Sequence, residues 1–189
     1  MTAESYARDP LASSAAELAR ASQRTAGRVT LEHMPFLAQV SLRLDPSLAG
    51  RTPYPLPLEP NTASEAGPRA VLWLGPDEWL VLGPPHTGPE IVEELETALA
   101  KDQEASLHRS VIEVSANRVA IELGGPDRHE LLASGCPIDL YPASWRAGMC
   151  AQTLFARTQV ILLERTHTTR VLVRPSFANY LIDRVLATI

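Results

Sequence analysis

The chain has 189 residues, with 17 basic and 22 acidic side chains and a formal net charge of −5 at pH 7. This length fits one domain with additional segments, and a hydrophobic content of 45% is enough for a sizeable core. The acidic balance argues against a surface for nucleic acid or anionic membranes. No apolar run approaches the roughly 20 residues of a membrane span, and the first residues do not resemble a secretory signal, so we expect a soluble, cytoplasmic protein.

The two cysteines, Cys136 and Cys150, are too few for a disulfide framework or a zinc site. Cysteine often behaves as a small buried hydrophobic residue, and we interpret both as reduced core residues. Lys101 is the only lysine, so arginine supplies nearly all the basic side chains. Two explanations of this bias are open, a GC-rich genome and the suitability of arginine for subunit contacts.

The first 28 residues form a small, polar N-terminal arm. Ser13 or Ser14 can cap a short helix, but Leu18 is its only large apolar residue. One leucine cannot bury a helix well, so the sequence predicts an arm, 1–28, that is either flexible or packed on something else. Residues 29–189 are predicted to form a single domain.

Period-2 alternation predicts the first strand of the domain at about Phe36–Leu44. The next segment, Asp45–Pro68, contains six prolines, which fix φ and remove hydrogen-bond donors. The sequence therefore predicts no regular element there. A segment of this length is expected to be a functional or surface-wrapping extension.

The rest of the chain alternates hairpin strands with helices. Two strands around the turn Gly75–Glu78 precede a helix that starts at Pro89 and has Ile91, Leu95 and Leu99 on one face. The second half repeats this order, with a helix carrying Leu131 and Leu132 and a last helix capped by Ser176. Its strands are predicted at Val111–Val114, Arg118–Leu123, Gln152–Ala156, Val160–Glu164 and Arg170–Arg174. This pattern indicates an α+β fold of two similar, ferredoxin-like halves, with largely antiparallel sheets and helices on one face.

Motifs for catalysis are weak. Gly124-Gly125-Pro126 lacks the spacing of a dinucleotide loop, and its proline removes an N–H that would face a phosphate, so a structural turn is favoured. Asp77 and Glu78 are interpreted as turn acids, because neighbouring residues in a tight turn point apart.

Nucleophile and ligand patterns are equally weak. The five histidines show no metal-ligand spacing, and Ser134-Gly135-Cys136 has no partner that spacing can identify. The large aromatic residues Trp73 and Trp79 are predicted to fill the core. Trp145 lies in a loop, where both a core position and an interface position are open. We therefore expect no catalytic, cofactor-binding or metal-binding residues in this chain.

Several runs resemble one known family, the gamma subunit of heterotetrameric sarcosine oxidase. They occur in order and with fitting spacing from about Arg28 to the C-terminus, and they are Leu74–Leu80, Ser115–Pro126, Gly135–Leu140, Cys150–Leu154 and Pro175–Leu181.

The resemblance implies a place in a complex that oxidatively demethylates sarcosine to glycine and transfers the one-carbon unit to tetrahydrofolate. It assigns FAD, FMN and NAD to other subunits, and it implies docking on the large alpha subunit, with beta and delta subunits also present. It also implies a fold like the folate-binding aminomethyltransferase of the glycine cleavage system. A stand-alone folate-binding one-carbon protein of that superfamily is the alternative.

The predicted subunit interface lies mainly in 1–28 and Asp45–Pro68, because neither segment has the apolar periodicity of an ordinary element. The candidate contact residues are Tyr54, Leu56 and Leu58, spaced at alternate positions, together with Trp145.

Overall fold

The computed structural model describes residues 9–100 and 107–189 and contains ten strands and four α-helices in that part of the chain. The strands are β1 (Thr30–Met34), β2 (Ala38–Leu44), β3 (Ala63–Ala66), β4 (Arg69–Gly75), β5 (Glu78–Gly83), β6 (Arg109–Glu113), β7 (Val119–Gly124), β8 (Cys150–Phe155), β9 (Thr158–Glu164) and β10 (Thr168–Val173). The helices are α1 (Ala15–Arg24), α2 (Gly88–Leu99), α3 (Arg128–Ala133) and α4 (Ala178–Leu186).

These elements belong to two compact units. The first unit comprises the described residues up to Phe36 together with Ala116–Ala147 and Gln152–Ile189, and it contains a sheet of order β1-β7-β10-β9-β8. The second unit comprises the described residues of Leu37–Ser115 together with Gly148–Ala151, and it contains a sheet of order β3-β4-β5-β2-β6. The two five-stranded antiparallel sheets with helices confirm the predicted α+β class. The predicted division into 1–28 and 29–189 stays a prediction.

The core of the second unit follows the sequence pattern closely. In β2, Val40 and Leu42 alternate with polar positions and point to the same face of the sheet, where α2 contributes Ile91 and Leu95. Trp79 of β5 is also fully buried in this cluster. Burying a Val, Leu or Ile side chain stabilises a fold by roughly 1.5–3 kcal/mol, so this cluster is a main source of stability for the unit.

The proline-rich segment is more ordered than predicted. It contains a 3-10 helix, Pro46–Arg51, in which Asp45 accepts a hydrogen bond from Ser47 N at 3.0 Å, and it also forms β3. That helix buries Leu48 against the core of the second unit. The prediction of no regular element was wrong. The apolar residues of this segment are widely spaced, and periodic patterns do not reveal contacts that single residues make with the core.

The predicted N-terminal helix is present as α1, but its packing differs from the prediction. Leu18 and Ala21 of α1 are buried, and the Ser22 hydroxyl, which donates to Leu18 O at 3.0 Å, accepts a hydrogen bond from Leu31 N at 2.8 Å. The helix therefore packs on β1 of its own chain rather than being flexible or packed elsewhere. The error arose because β1 shows no strict alternation, so the surface that receives α1 was not predicted.

The prediction of helix caps is confirmed in position for Ser14, without its side-chain bond, and is wrong for Ser176. Ser14 is the N-cap residue of α1 but makes no side-chain capping bond. Ser176 lies within a 3-10 turn, Pro175–Phe177, so Phe177 and not Ser176 precedes the first residue of α4. Proline starts that turn because its fixed φ suits a helical first position.

Candidate functional site

Glu164, at the end of β9, is a buried carboxylate of the first unit with four side-chain partners. It is 2% exposed. Its Oε1 accepts a hydrogen bond from Arg128 Nη2 at 2.9 Å and lies 2.8 Å from His129 Nε2. Its Oε2 accepts from Trp145 Nε1 at 2.9 Å and from the Thr169 hydroxyl. One carboxylate therefore ties together α3, the loop that carries Trp145, and β10.

Glu122, in the middle of β7, is a second buried carboxylate, 8% exposed. It lies directly opposite Arg170 of β10 and accepts a hydrogen bond from Arg170 Nε at 2.7 Å. The Thr168 hydroxyl donates to Glu122, and Arg165 Nη1 lies 3.6 Å away. Strict alternation along β7 would place Glu122 on a solvated face, but Glu122 is buried. β7 is an inner strand between β1 and β10, and the neighbouring strand supplies its cationic partner.

The geometry of these two clusters fits a structural role. A general acid or base must come within hydrogen-bond distance of the reacting atom. Both carboxylates are instead enclosed by donors from their own unit, and buried charges are tolerated when they are paired in this way. The clusters hold strands, a helix and a loop in fixed positions.

The glycine turn after β7 is filled by the chain itself. Gly125 has a φ of +89°, and a Cβ added there would sit on the carbonyl oxygen of Arg28. That carbonyl accepts a hydrogen bond from Asp127 N at 3.0 Å, and the Asp127 carboxylate accepts two from the Arg28 side chain at 2.6 and 2.8 Å. The turn thus anchors the N-terminal segment at the start of α3, in agreement with the structural interpretation.

Asp77 and Glu78, at the turn between β4 and β5, pair with Arg43 and His108 of the second unit. Arg43 donates to Glu78 at 2.7 Å and lies 3.6 Å from Asp77, which is also 3.3 Å from His108 Nε2. All four side chains are substantially exposed to solvent, so each ion pair contributes little to stability. This arrangement confirms that both acids are solvated, with Asp77 in the turn and Glu78 at the first position of β5.

Both cysteines are free and buried. Burial raises the pKa of each thiol to about 11, although at Cys150 a hydrogen bond to the Trp73 carbonyl acts in the opposite direction. The thiolate is the nucleophilic form of cysteine. These thiols are therefore protonated at neutral pH and poorly suited to attack a substrate.

The four predicted interface residues have very different environments. Tyr54 is 7% exposed in the core of the second unit, and Leu56 packs against the same core. Trp145 is 3% exposed because it lies within the Glu164 cluster, so its core position is established. Leu58 is 62% exposed. Only Leu58 offers a large apolar surface of the kind an interface needs, and the interface role itself stays a prediction.

The described helices include none with the length and apolar character to cross a membrane. Within residues 9–100 and 107–189, no group of three or more His, Cys, Asp or Glu side chains is arranged to hold a metal ion.

Two adjoining grooves open on the first unit, and we call them together the Leu154 surface. The larger, of about 830 Å³, is bounded by the end of α3, the turn between β8 and β9, and α4. The smaller, of about 440 Å³, runs along β8 and β9. Pro137 and Leu154 line both grooves, and the basic residues of their walls are Arg118, Arg157, Arg174 and Arg184.

Sequence reasoning missed both the buried carboxylates and the Leu154 surface. One signal for Glu164 was available, because it ends an apolar strand and is followed by Thr169 and Arg170 in the next predicted strand. The arginines of the Leu154 surface come from four separate segments, and no local pattern brings them together.

Comparison with known proteins identifies the family. The model of the "Sarcosine oxidase, gamma subunit family" matches residues 45–186. A sarcosine oxidase subunit gamma from Arthrobacter sp. is 34% identical over 151 residues, which cover 76% of this chain and 71% of that protein. The corresponding subunit from Corynebacterium sp. (strain U-96) is 32% identical over 181 residues, which cover 92% of this chain and 85% of that protein.

Solved structures agree with the family match. A chain of the heterotetrameric sarcosine oxidase from Corynebacterium sp. U-96, in complex with pyrrole 2-carboxylate, has a TM-score of 0.84 and 30% identity, with coverage of 96% of this chain and 94% of that chain. Aminomethyltransferase T of the glycine cleavage system from Bartonella henselae has a TM-score of 0.65 at 11% identity, covers 89% of this chain and 48% of that chain, and shows likeness of fold alone. The chain belongs to the sarcosine oxidase gamma subunit family.

Proposed function

We propose that the chain is the non-catalytic gamma subunit of a heterotetrameric sarcosine oxidase and that its role is to support the complex structurally. The match to a chain of such a heterotetramer, over nearly the whole length of both chains, carries this proposal. A subunit that keeps its relative's length and fold is expected to occupy the same place in the assembly.

The chemistry of the described residues supports a structural role. The buried carboxylates Glu122 and Glu164 are enclosed by their own donors. The two thiols, with pKa values raised to about 11, are not activated nucleophiles.

The division of labour follows from the family resemblance. The partner subunits are the large alpha subunit, on which this chain docks, and the beta and delta subunits. FAD, FMN and NAD are held by those partners, where sarcosine is oxidatively demethylated to glycine and the one-carbon unit passes to tetrahydrofolate. This chain holds no cofactor of its own.

The absorbance spectrum of the purified, full-length chain tests this assignment. A spectrum with protein absorbance and no flavin bands between roughly 350 and 500 nm is expected, because flavin chemistry belongs to the cofactor and requires a dedicated binding site. A stoichiometric flavin spectrum would overturn it.

A stand-alone folate-binding one-carbon protein is the second candidate, favoured by the fold shared with aminomethyltransferase T. Calorimetric titration of the isolated chain with tetrahydrofolate separates the two functions. No detectable heat supports the structural subunit, whereas micromolar binding supports the folate-binding protein.

Leu58 is the residue of the proline-rich segment that we propose as a subunit contact, because it is 62% exposed while Tyr54 is buried. Leu58→Asp should leave the folding of the chain intact and weaken its retention in the complex. Tyr54→Phe is the matched control, since it changes a core residue of the same segment without adding charge. Equal retention of Leu58→Asp and wild type would remove Leu58 from the interface.

A further inference from the structure

The Leu154 surface has a charge opposite to that of the chain. The chain carries a net charge of −5. The described residues that line the two grooves nevertheless include four arginines and neither aspartate nor glutamate. Arg174 donates a hydrogen bond to Asn117, but the guanidinium groups of Arg157 and Arg184 make no hydrogen bond or ion pair within the described part of the chain. The positive charge of Arg157 and Arg184 is therefore left without a carboxylate to neutralise it in the described part of the chain.

An apolar residue lies at the centre of this basic surface. Leu154 is 43% exposed on β8, which is the last strand of its sheet. Tyr180 and Arg184 of α4 are four residues apart and so project from the same helix face beside it. Tyrosine and arginine are enriched among the residues that dominate binding at protein interfaces.

The floor of the larger groove is held rigidly. Ala156 N donates a hydrogen bond to Gly135 O at 2.8 Å, so the turn between β8 and β9 is tied to the end of α3. The Phe155 ring lies so close to Gly135 that an added Cβ would come within 2.9 Å of it. A surface that is already ordered loses little conformational entropy when a partner binds.

We infer that the Leu154 surface docks an acidic segment of a partner subunit. An apolar side chain of that segment covers Leu154, and its carboxylates pair with Arg157 and Arg184, since a guanidinium group and a carboxylate match in a two-pronged geometry. The charge complementarity identifies the occupant as acidic, and the inference rests on the proposed function as a subunit.

The test is assembly of the complete complex by co-expression of this chain with the other subunits. Arg157→Glu/Arg184→Glu reverses the two unpaired charges. Arg109→Glu/Arg146→Glu makes the same change in net charge at exposed positions outside the two grooves and outside the predicted interface segments, and it serves as the matched control. Retention of the chain in the complex is measured by native mass spectrometry over a dilution series, and folding of each isolated variant by its melting temperature.

The groove variant should dissociate about tenfold or more readily than wild type, because like charges then face each other across the interface. The control should stay within about twofold, and both melting temperatures should remain within about 2 °C of wild type, as is usual for surface substitutions. Raising the salt concentration should weaken the complex that contains wild type more than the complex that contains the groove variant. Salt screens the attraction between the two arginines and the partner's carboxylates, which the variant has lost.

Three results would overturn the inference but not the proposed function. If wild type assembles and the groove variant is retained equally well, the Leu154 surface is not an interface, and the proposed function remains intact. Equal weakening by the control variant would show an effect of net charge rather than of the grooves. Dimers of the isolated wild-type chain that the groove substitutions abolish would identify a second copy as the occupant. Failure of wild type to join any complex would instead remove the proposed function, and the inference with it.

Discussion

Glu164→Gln is the substitution that most sharply tests the buried cluster of the first unit. The carboxylate accepts at both oxygens, from Arg128 and His129 at one and from Trp145 and Thr169 at the other. Glutamine keeps the shape but can accept at only one end. Its amide nitrogen then faces donors at the other end, and the Arg128 guanidinium loses its negative partner.

The magnitude follows from these contacts. A hydrogen bond to a charged group contributes about 1.5–3 kcal/mol, and removing one partner of a buried ion pair costs about 3–5 kcal/mol. We therefore expect Glu164→Gln to lower the free energy of unfolding of the first unit by about 3–5 kcal/mol. That is a large part of the about 5–15 kcal/mol that holds a typical domain folded.

Urea denaturation of the full-length chain, followed by tryptophan fluorescence, measures this loss. Glu130→Gln is the matched control, because it makes the same isosteric change at an exposed position of α3, where about 0.5 kcal/mol or less is expected. A midpoint for Glu164→Gln that matches the control and wild type would show that the Glu164 carboxylate does not stabilise the first unit. It would mean that the four donors are satisfied in some other way.

Three further predictions concern the fold and the thiols. Leu123→Asp should prevent folding, since Leu123 is fully buried. Val119→Asp, on the same face of β7, should be milder because Val119 is only half-buried. Equal soluble yields of the two variants would show that the register assigned to β7 is wrong. Gly125→Ala should cost at least about 2 kcal/mol in urea denaturation, because φ is +89° and a carbonyl oxygen occupies the Cβ position; an unchanged midpoint would contradict this. Cys136 and Cys150, with pKa values raised to about 11, should react with iodoacetamide at pH 8 only after denaturant is added; rapid alkylation of the folded chain would show that they are accessible.

The sequence predicted those parts of the fold that local patterns encode. The alternation of Val40 and Leu42 identified β2, and the helical spacing of Ile91, Leu95 and Leu99 identified α2, because each element buries one continuous face. Such signals lie within a few neighbouring residues. They do not depend on what the rest of the chain does.

The missed features depend on residues that are far apart in the chain. Glu122 meets Arg170 across 48 positions, and Glu164 meets Arg128 across 36. A charged residue in a strand indicates a solvated face unless its buried partner is already known. Contacts of this kind become visible only when the strand order is established.

The proline-rich segment shows a related limit. Its prolines remove donors but leave their carbonyl groups as acceptors, and Pro57 O accepts a hydrogen bond from Trp79 Nε1 at 2.7 Å. Tyr54 enters the core singly, and its hydroxyl donates to Glu94 of α2. Neither contact has a periodic signature, so the segment was predicted as an extension although it packs on its own unit.

The most direct test of the account is the native mass of the complex after co-expression of this chain with the partner subunits. We expect the 20.6 kDa chain to be found within a four-subunit flavoprotein and to leave it as a flavin-free chain upon gentle dissociation. Recovery of an active sarcosine-oxidising complex that excludes the chain, with the chain alone at its own mass, would contradict the assignment as a supporting subunit.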